Sequence, residues 1–165
     1  MKNKSINILI VSFLLIGMMA VMLITFLEET KQNLTENIKV SENGVTESVQ
    51  TVRDLKLNPT ESKEYSVNLV CSATGSYRIR LDYEEQCDGG MKPFVDVTVK
   101  LDGEVIYEGK LIALLDNGEE IEFIGELQEK EALVVTICYL MPRDVGNEAQ
   151  GTYADFDVHF NIEKH

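Results

Sequence analysis

From Ala154 to Ile162 the chain is apolar at every second position, with Ala154, Phe156, Val158, Phe160 and Ile162 alternating with Asp155, Asp157, His159 and Asn161. Successive side chains of an extended backbone point to opposite faces, so this segment is a strand with one face in a core and the other in water. A helix would scatter the same residues around its circumference. The period of two recurs upstream. Tyr65, Val67, Leu69 and Cys71 are followed, after Ala73-Thr74-Gly75, by Tyr77, Ile79, Leu81 and Tyr83, which predicts a hairpin. Val95, Val97, Val99 and Leu101 lead into Asp102-Gly103, a strong two-residue turn signal, and Val105 to Tyr107 return. Glu119 to Ile124 and Ala132 to Leu140 predict two more strands, the second apolar on both faces as a central strand should be. Lys110 to Leu115 predicts a short helical turn. Seven or eight short strands without long helices predict an all-β antiparallel sandwich, of jelly-roll or immunoglobulin-like type.

The other end of the chain obeys different physics. Ile6 to Leu27 is an apolar run long enough to cross a bilayer as one helix. Lys2 and Lys4 precede it and Glu28 and Glu29 follow, which places the N-terminus in the cytoplasm and the rest outside. The run exceeds the apolar core of an ordinary signal peptide. The candidate cleavage site Met18-Met19-Ala20 also has a bulky residue three before the cut. A retained signal-anchor is the expectation, with secretion after cleavage as the alternative. Residues 28–52 are polar, with isolated Leu34, Ile38, Val40, Val45 and Val49, and read as a stalk or a first strand. The expected organisation is a cytoplasmic tip and spanning helix over 1–27, the stalk or first strand over 28–52, and an extracytoplasmic sandwich over 53–165.

With 15 basic and 28 acidic residues the formal charge is −13. Phosphate-rich partners are repelled by that excess, so nucleic acid is not expected as a ligand. Glu84, Glu85 and Asp88, between Asp82 and Gly90, are weak calcium candidates without the spacing of an EF-hand; an acidic hairpin end is the commoner explanation. His159 shares a strand face with Asp155, Asp157 and Glu163, a row better explained as a solvated face than as a metal cluster. His159 and His165 are the only histidines. The His-Glu-x-x-His pattern of zinc peptidases is absent, and no nucleophile motif accompanies His159. No catalytic residue and no cofactor is expected. Of three cysteines, Cys71 and Cys87 would lie at opposite ends of the first hairpin, roughly 30 Å apart at strand rise, too far for a disulfide. Cys138 is free to pair with either, an odd count leaves at least one thiol unpaired, and buried small hydrophobes are the expectation for all three.

Just before the last strand stands Asn147-Glu148-Ala149-Gln150-Gly151. Asn turns a chain by bonding its own backbone, Gln150 has an amide to pair with the loop, and glycine reaches conformations closed to other residues, so an ordered turn that sets strand register accounts for the motif. The Asn-x-x-Gln-Gly turn, followed by Phe156 and Phe160 in an alternating C-terminal strand, resembles the TasA and camelysin family of exported bacterial β-sandwich proteins. That resemblance covers the last 20 to 30 residues or so. It implies Asn147, Gln150 and Gly151 as family positions with a structural role, and a role in extracellular matrix fibres. Together with the anchor it predicts a non-catalytic cell-surface structural or assembly protein that meets a protein partner or a second copy of itself. An envelope ligand-binding or sensing module is the alternative, and a surface peptidase is a weaker one.

Overall fold

A computed structural model describes residues 34–41 and 45–165. The expected spanning helix over Ile6 to Leu27 lies outside the described residues, among which no helix is long and apolar enough to cross a membrane. The described strands are β1 (Leu34–Val40), β2 (Val45–Leu55), β3 (Ser62–Cys71), β4 (Gly75–Gly89), β5 (Asp96–Leu101), β6 (Glu104–Lys110), β7 (Ile121–Leu127), β8 (Ala132–Leu140) and β9 (Tyr153–Lys164). They form two sheets, one in the order β1-β3-β8-β5-β6 and the other in the order β2-β9-β4-β7. The all-β sandwich is therefore the fold. Asn33–His165 is one compact unit, with a hydrophobic core of its own, which is what a segment needs to fold independently.

Alternation decides which side chains enter that core. In β9 the buried positions are Ala154, Phe156, Val158, Phe160 and Ile162, as the pattern predicts. β8 lies in the middle of its sheet, between β3 and β5, in keeping with its apolar composition. Tyr139 from β8 and Phe156 from β9 meet edge to face across the sandwich, their ring centres 5.4 Å apart. Tyr65 adds a second edge contact to Tyr139 at 5.7 Å. Such offset geometries set the positive edge of one ring against the negative face of the next. β5 and β6 make the predicted hairpin, with Asp102 at φ 46° and Gly103 at φ 89°. Two successive left-handed residues match the twist of the flanking strands, which is why Asp-Gly is favoured there. The short helix α1 (Leu111–Asp116) buries Leu111 and Leu114.

Four expectations need correction. β3 and β4 do not form a hairpin: β3 pairs with β1 and β8, and β4 with β7 and β9, so the Ala73-Thr74-Gly75 segment crosses from one sheet to the other. The apolar face of a strand looks the same whether its successor lies beside it or across the core. Second, the sheets are not wholly antiparallel, because β1 runs parallel to β3 from the Leu34–Tyr65 pair to the Val40–Cys71 pair. Third, residues 34–52 are neither a stalk nor a single strand. They make β1 and most of β2, and they bury Ile38, Val40 and Val52, so the sandwich begins well before Arg53. Their sparse apolar residues suffice because each strand lies at a sheet edge. Fourth, residues Asp82–Gly89 are not the turning end of a hairpin but the last part of β4, paired with β9 through a bulge between Glu85 and Cys87.

Candidate functional site

The motif before β9 folds as a 3-10 turn over Asn147–Ala149. The Gln150 N–H donates to the Asn147 carbonyl at 3.1 Å, and the Thr152 hydroxyl donates to the Ala149 carbonyl at 2.7 Å. Gly151 has φ +74° with open space where a Cβ would stand, so backbone conformation and not crowding selects glycine. Ala149 is the buried member of the turn. The expected pairing of Gln150 with loop amides is absent: the side chains of Asn147 and Gln150 are exposed and bond no other described residue. They line a cleft of about 290 Å³ together with Leu57, Asn58, Pro59, Met141 and Val145. Glu61 holds the Asn58 segment of the lining by accepting from the Asn58 N–H at 2.8 Å.

The acidic candidates Glu84, Glu85 and Asp88 do not converge on a common point. Glu84 bonds His159 Nε2 at 3.0 Å. Glu85 and Asp88 both grip Lys92, at 3.0 and 3.2 Å, and Asp116 completes the set at 2.7 Å. An ammonium ion thus occupies the position a cation would need. Lys92 is the residue that sequence reasoning missed; its place four residues after Asp88 was the available signal. Along β9 the row with His159 divides among separate partners. Asp157 pairs with Arg53 at 3.1 Å, Glu163 with Arg78 at 3.1 Å, and Asp155 accepts the Asp54 N–H at 2.6 Å. This is a solvated strand face bound by cross-strand pairs. No group of three or more metal-ligating side chains is found among the described residues.

All three cysteines are free thiols. Only Cys71 is buried. Cys87 is exposed beside the Tyr153 hydroxyl at 3.4 Å, and Cys138 is half-buried on the outer side of β8, so the expectation of three buried cysteines fails for two of them. Partial burial is the main cause that pushes the Cys138 thiol pKa up, and the Glu64 carboxylate adds to it.

Replacing Lys92 by methionine is expected to lower stability by roughly 1–3 kcal/mol, since three carboxylates lose a shared charge-assisted partner. Acid acts on the same end of the fold. The Gly90 N–H, and then Lys92, hold the Asp88 carboxyl below the ordinary range, and Asn58 does the same for Glu61. A carboxyl with a depressed folded pKa stabilises the fold above its unfolded value, about 4, and loses that contribution as the pH falls through the folded value. The Lys92 pKa is raised, chiefly by Asp116, so its contribution is in place below the unfolded lysine value and is lost only as the pH rises through the folded one. Thermal melting from pH 7 to pH 3 should show a falling midpoint below about pH 4, with a smaller fall in Lys92→Met.

No family model and no curated protein matches the chain. Among solved structures it is similar to PliG, a periplasmic inhibitor of g-type lysozyme from Aeromonas hydrophila, at 11% identity over 79% of this chain and 99% of that one, with a TM-score of 0.34. It is also similar to the pre-peptidase C-terminal domain of a collagenase from Bacillus anthracis, at 11% identity over 81% of this chain and 98% of that one, TM-score 0.34. A beta-glucosidase from Paenibacillus barengoltzii is similar at 8% identity over 80% of this chain, TM-score 0.36, and the chain spans 12% of its length. Likenesses at this level lend no activity to the chain.

Proposed function

We propose that this protein is a non-catalytic cell-surface structural or assembly protein of the TasA and camelysin type. In this reading Ile6 to Leu27 stays as a membrane anchor, the sandwich stands outside the cell, and the protein serves as an anchor or accessory of extracellular matrix fibres. The sandwich is of the jelly-roll type: every connection but β5–β6 changes sheet, and the orders β2-β9-β4-β7 and β3-β8-β5-β6 interleave two Greek keys.

The observation that carries the assembly reading is the open edge of β2. Proteins guard sheet edges with charges, bulges and short strands. β7 carries Glu122 and Glu126, β6 carries Glu104, Glu108 and Lys110 beside a bulge, and β1 is short and carries Glu36 and Lys39. Along β2, the stretch from Val45 to Val52 has Glu47 as its one charge and pairs with β9 without a bulge. Val45 and Val49 are 55% and 47% exposed there. An extended segment of another chain satisfies such an edge by strand addition, with pockets for alternate side chains. The test is light scattering of a chain beginning at Glu28 over rising concentration, with and without Val49→Lys, alone and with a neighbouring sandwich protein. Association that the lysine suppresses supports the reading. A monomer throughout that binds no sandwich partner overturns it, and the ligand-binding alternative then takes its place, favoured by the cleft beside the unpartnered Asn147 and Gln150 amides.

A further inference from the structure

The outer faces of the two sheets differ in charge. On the sheet containing β9, every strand turns acids outward, among them Glu47 on β2, Asp155 and Asp157 on β9, Glu84 on β4 and Glu122 on β7. Arg53, Arg78 and Arg80 offset only part of this. On the other sheet the central strand β8 turns Val134, Thr136, Cys138 and Leu140 outward without a single charge. Ser66 and Thr98 lie beside it, the first with its hydroxyl 3.4 Å from that of Thr136. The charges of this face flank β8 in matched numbers: Glu64 stands opposite Cys138, Lys100 opposite Thr136 and Asp96 opposite Leu140, with Lys39, Glu108 and Lys110 on the outer strands.

We propose that this face is a contact surface for a second copy of the chain, the two sheets stacking about β8. The inference deepens the assembly reading and rests on it, naming one partner. The occupant follows from charge. A chain of formal charge −13 repels its own kind wherever the excess is displayed. Across a face whose charges cancel, approach carries no such penalty, and like-charge suppression of wrong contacts operates everywhere else. An uncharged strand flanked by matched charges of both signs lets two copies pair opposite charges across the contact. Small, flat side chains such as Ser, Thr and Val let two sheets pack at the ordinary spacing of about 10 Å. Five strands about 4.8 Å apart present roughly 500 Å² per copy, less than the ~800 Å² of a standard interface, so the contact is a weak one. Tethering to one membrane raises the effective concentration enough for weak contacts to matter.

Cys138, near the middle of the face, reports its coverage, and the exposed Cys87 is an internal control on the other sheet. In the chain beginning at Glu28, which contains the whole core, the rate of Cys138 alkylation by N-ethylmaleimide is measured from dilute to concentrated protein. The expected result is a several-fold fall at high concentration with the Cys87 rate unchanged. Thr136→Glu should abolish the fall by placing a carboxylate from each copy in the contact. Lys100→Glu, on β5 opposite Thr136, should weaken it by upsetting the charge balance of the face, and Thr51→Glu on the opposite face should leave it intact. A Cys138 rate independent of concentration overturns the inference. If light scattering still detects association that Val49→Lys removes, the assembly reading stands and only the face contact falls; with no association by either measure, both fall.

Discussion

A chain beginning at Arg53 is expected to lose the cooperative thermal transition that a chain beginning at Glu28 shows. β2 pairs with β9 from Val45 to Val52 and again at Leu55, and β1 lies along β3 from Tyr65 to Cys71. Removing both takes Ile38, Val40 and Val52 out of the core, at 5%, 5% and 1% exposure. Each such side chain stabilises the fold by about 1.5–3 kcal/mol, so the sum is roughly 5–9 kcal/mol. Domains of this size are stable by about 5–15 kcal/mol in total. The cut also bares the edge of β9, whose inner face carries Ala154, Phe156, Val158, Phe160 and Ile162. Circular dichroism melting of the two chains checks this: aggregation or a broad, low transition is expected for the shorter one. Equal midpoints would mean that the first two strands are appendages.

Phe156→Ala is expected to lower stability by about 3–5 kcal/mol, the ordinary cost of deleting a fully buried aromatic. Phe156 is wholly buried, edge to face with Tyr139, and tilted against Tyr83 at 5.9 Å. It stands on a strand paired on both sides, so the backbone has little freedom to close the cavity. For a domain of this length the shift in melting midpoint should be roughly 10–20 °C. Phe123→Ala on the edge strand β7, where the ring is only partly buried, should cost far less.

Strands β9 and β8 and the β5–β6 hairpin were readable from period-two alternation and turn chemistry, because each depends on local signals. What alternation does not carry is the partner of a strand. The inward residues Tyr65 to Cys71 and Tyr77 to Tyr83 fit a hairpin or a crossover equally, and only the packing of both sheets decides for the crossover. The first two strands were hard to read for a related reason. β2 turns Val45 and Val49 outward and Gln50 inward, at 7% exposure, so its first half runs against the usual polarity and looks like a stalk. At the site, Gly151 was legible as a turn former because that chemistry is local, whereas the expected side-chain bond of Asn147 to the backbone does not form. The Lys92 cluster gathers residues from β4, a 3-10 turn and α1, and long-range charge convergence leaves little trace in one sequence.

The edge of β2 is the feature on which the account turns, and hydrogen–deuterium exchange of the chain beginning at Glu28, followed amide by amide, tests it most directly. A free edge leaves alternate N–H groups of Val45–Val52 open to water, whereas strand addition bonds them. The account predicts that these amides slow by at least about tenfold, some 1.4 kcal/mol of protection, between dilute and concentrated protein or on addition of a neighbouring sandwich protein. The guarded edge β7 should not change. Exchange along β2 that stays the same under all of these conditions would contradict it.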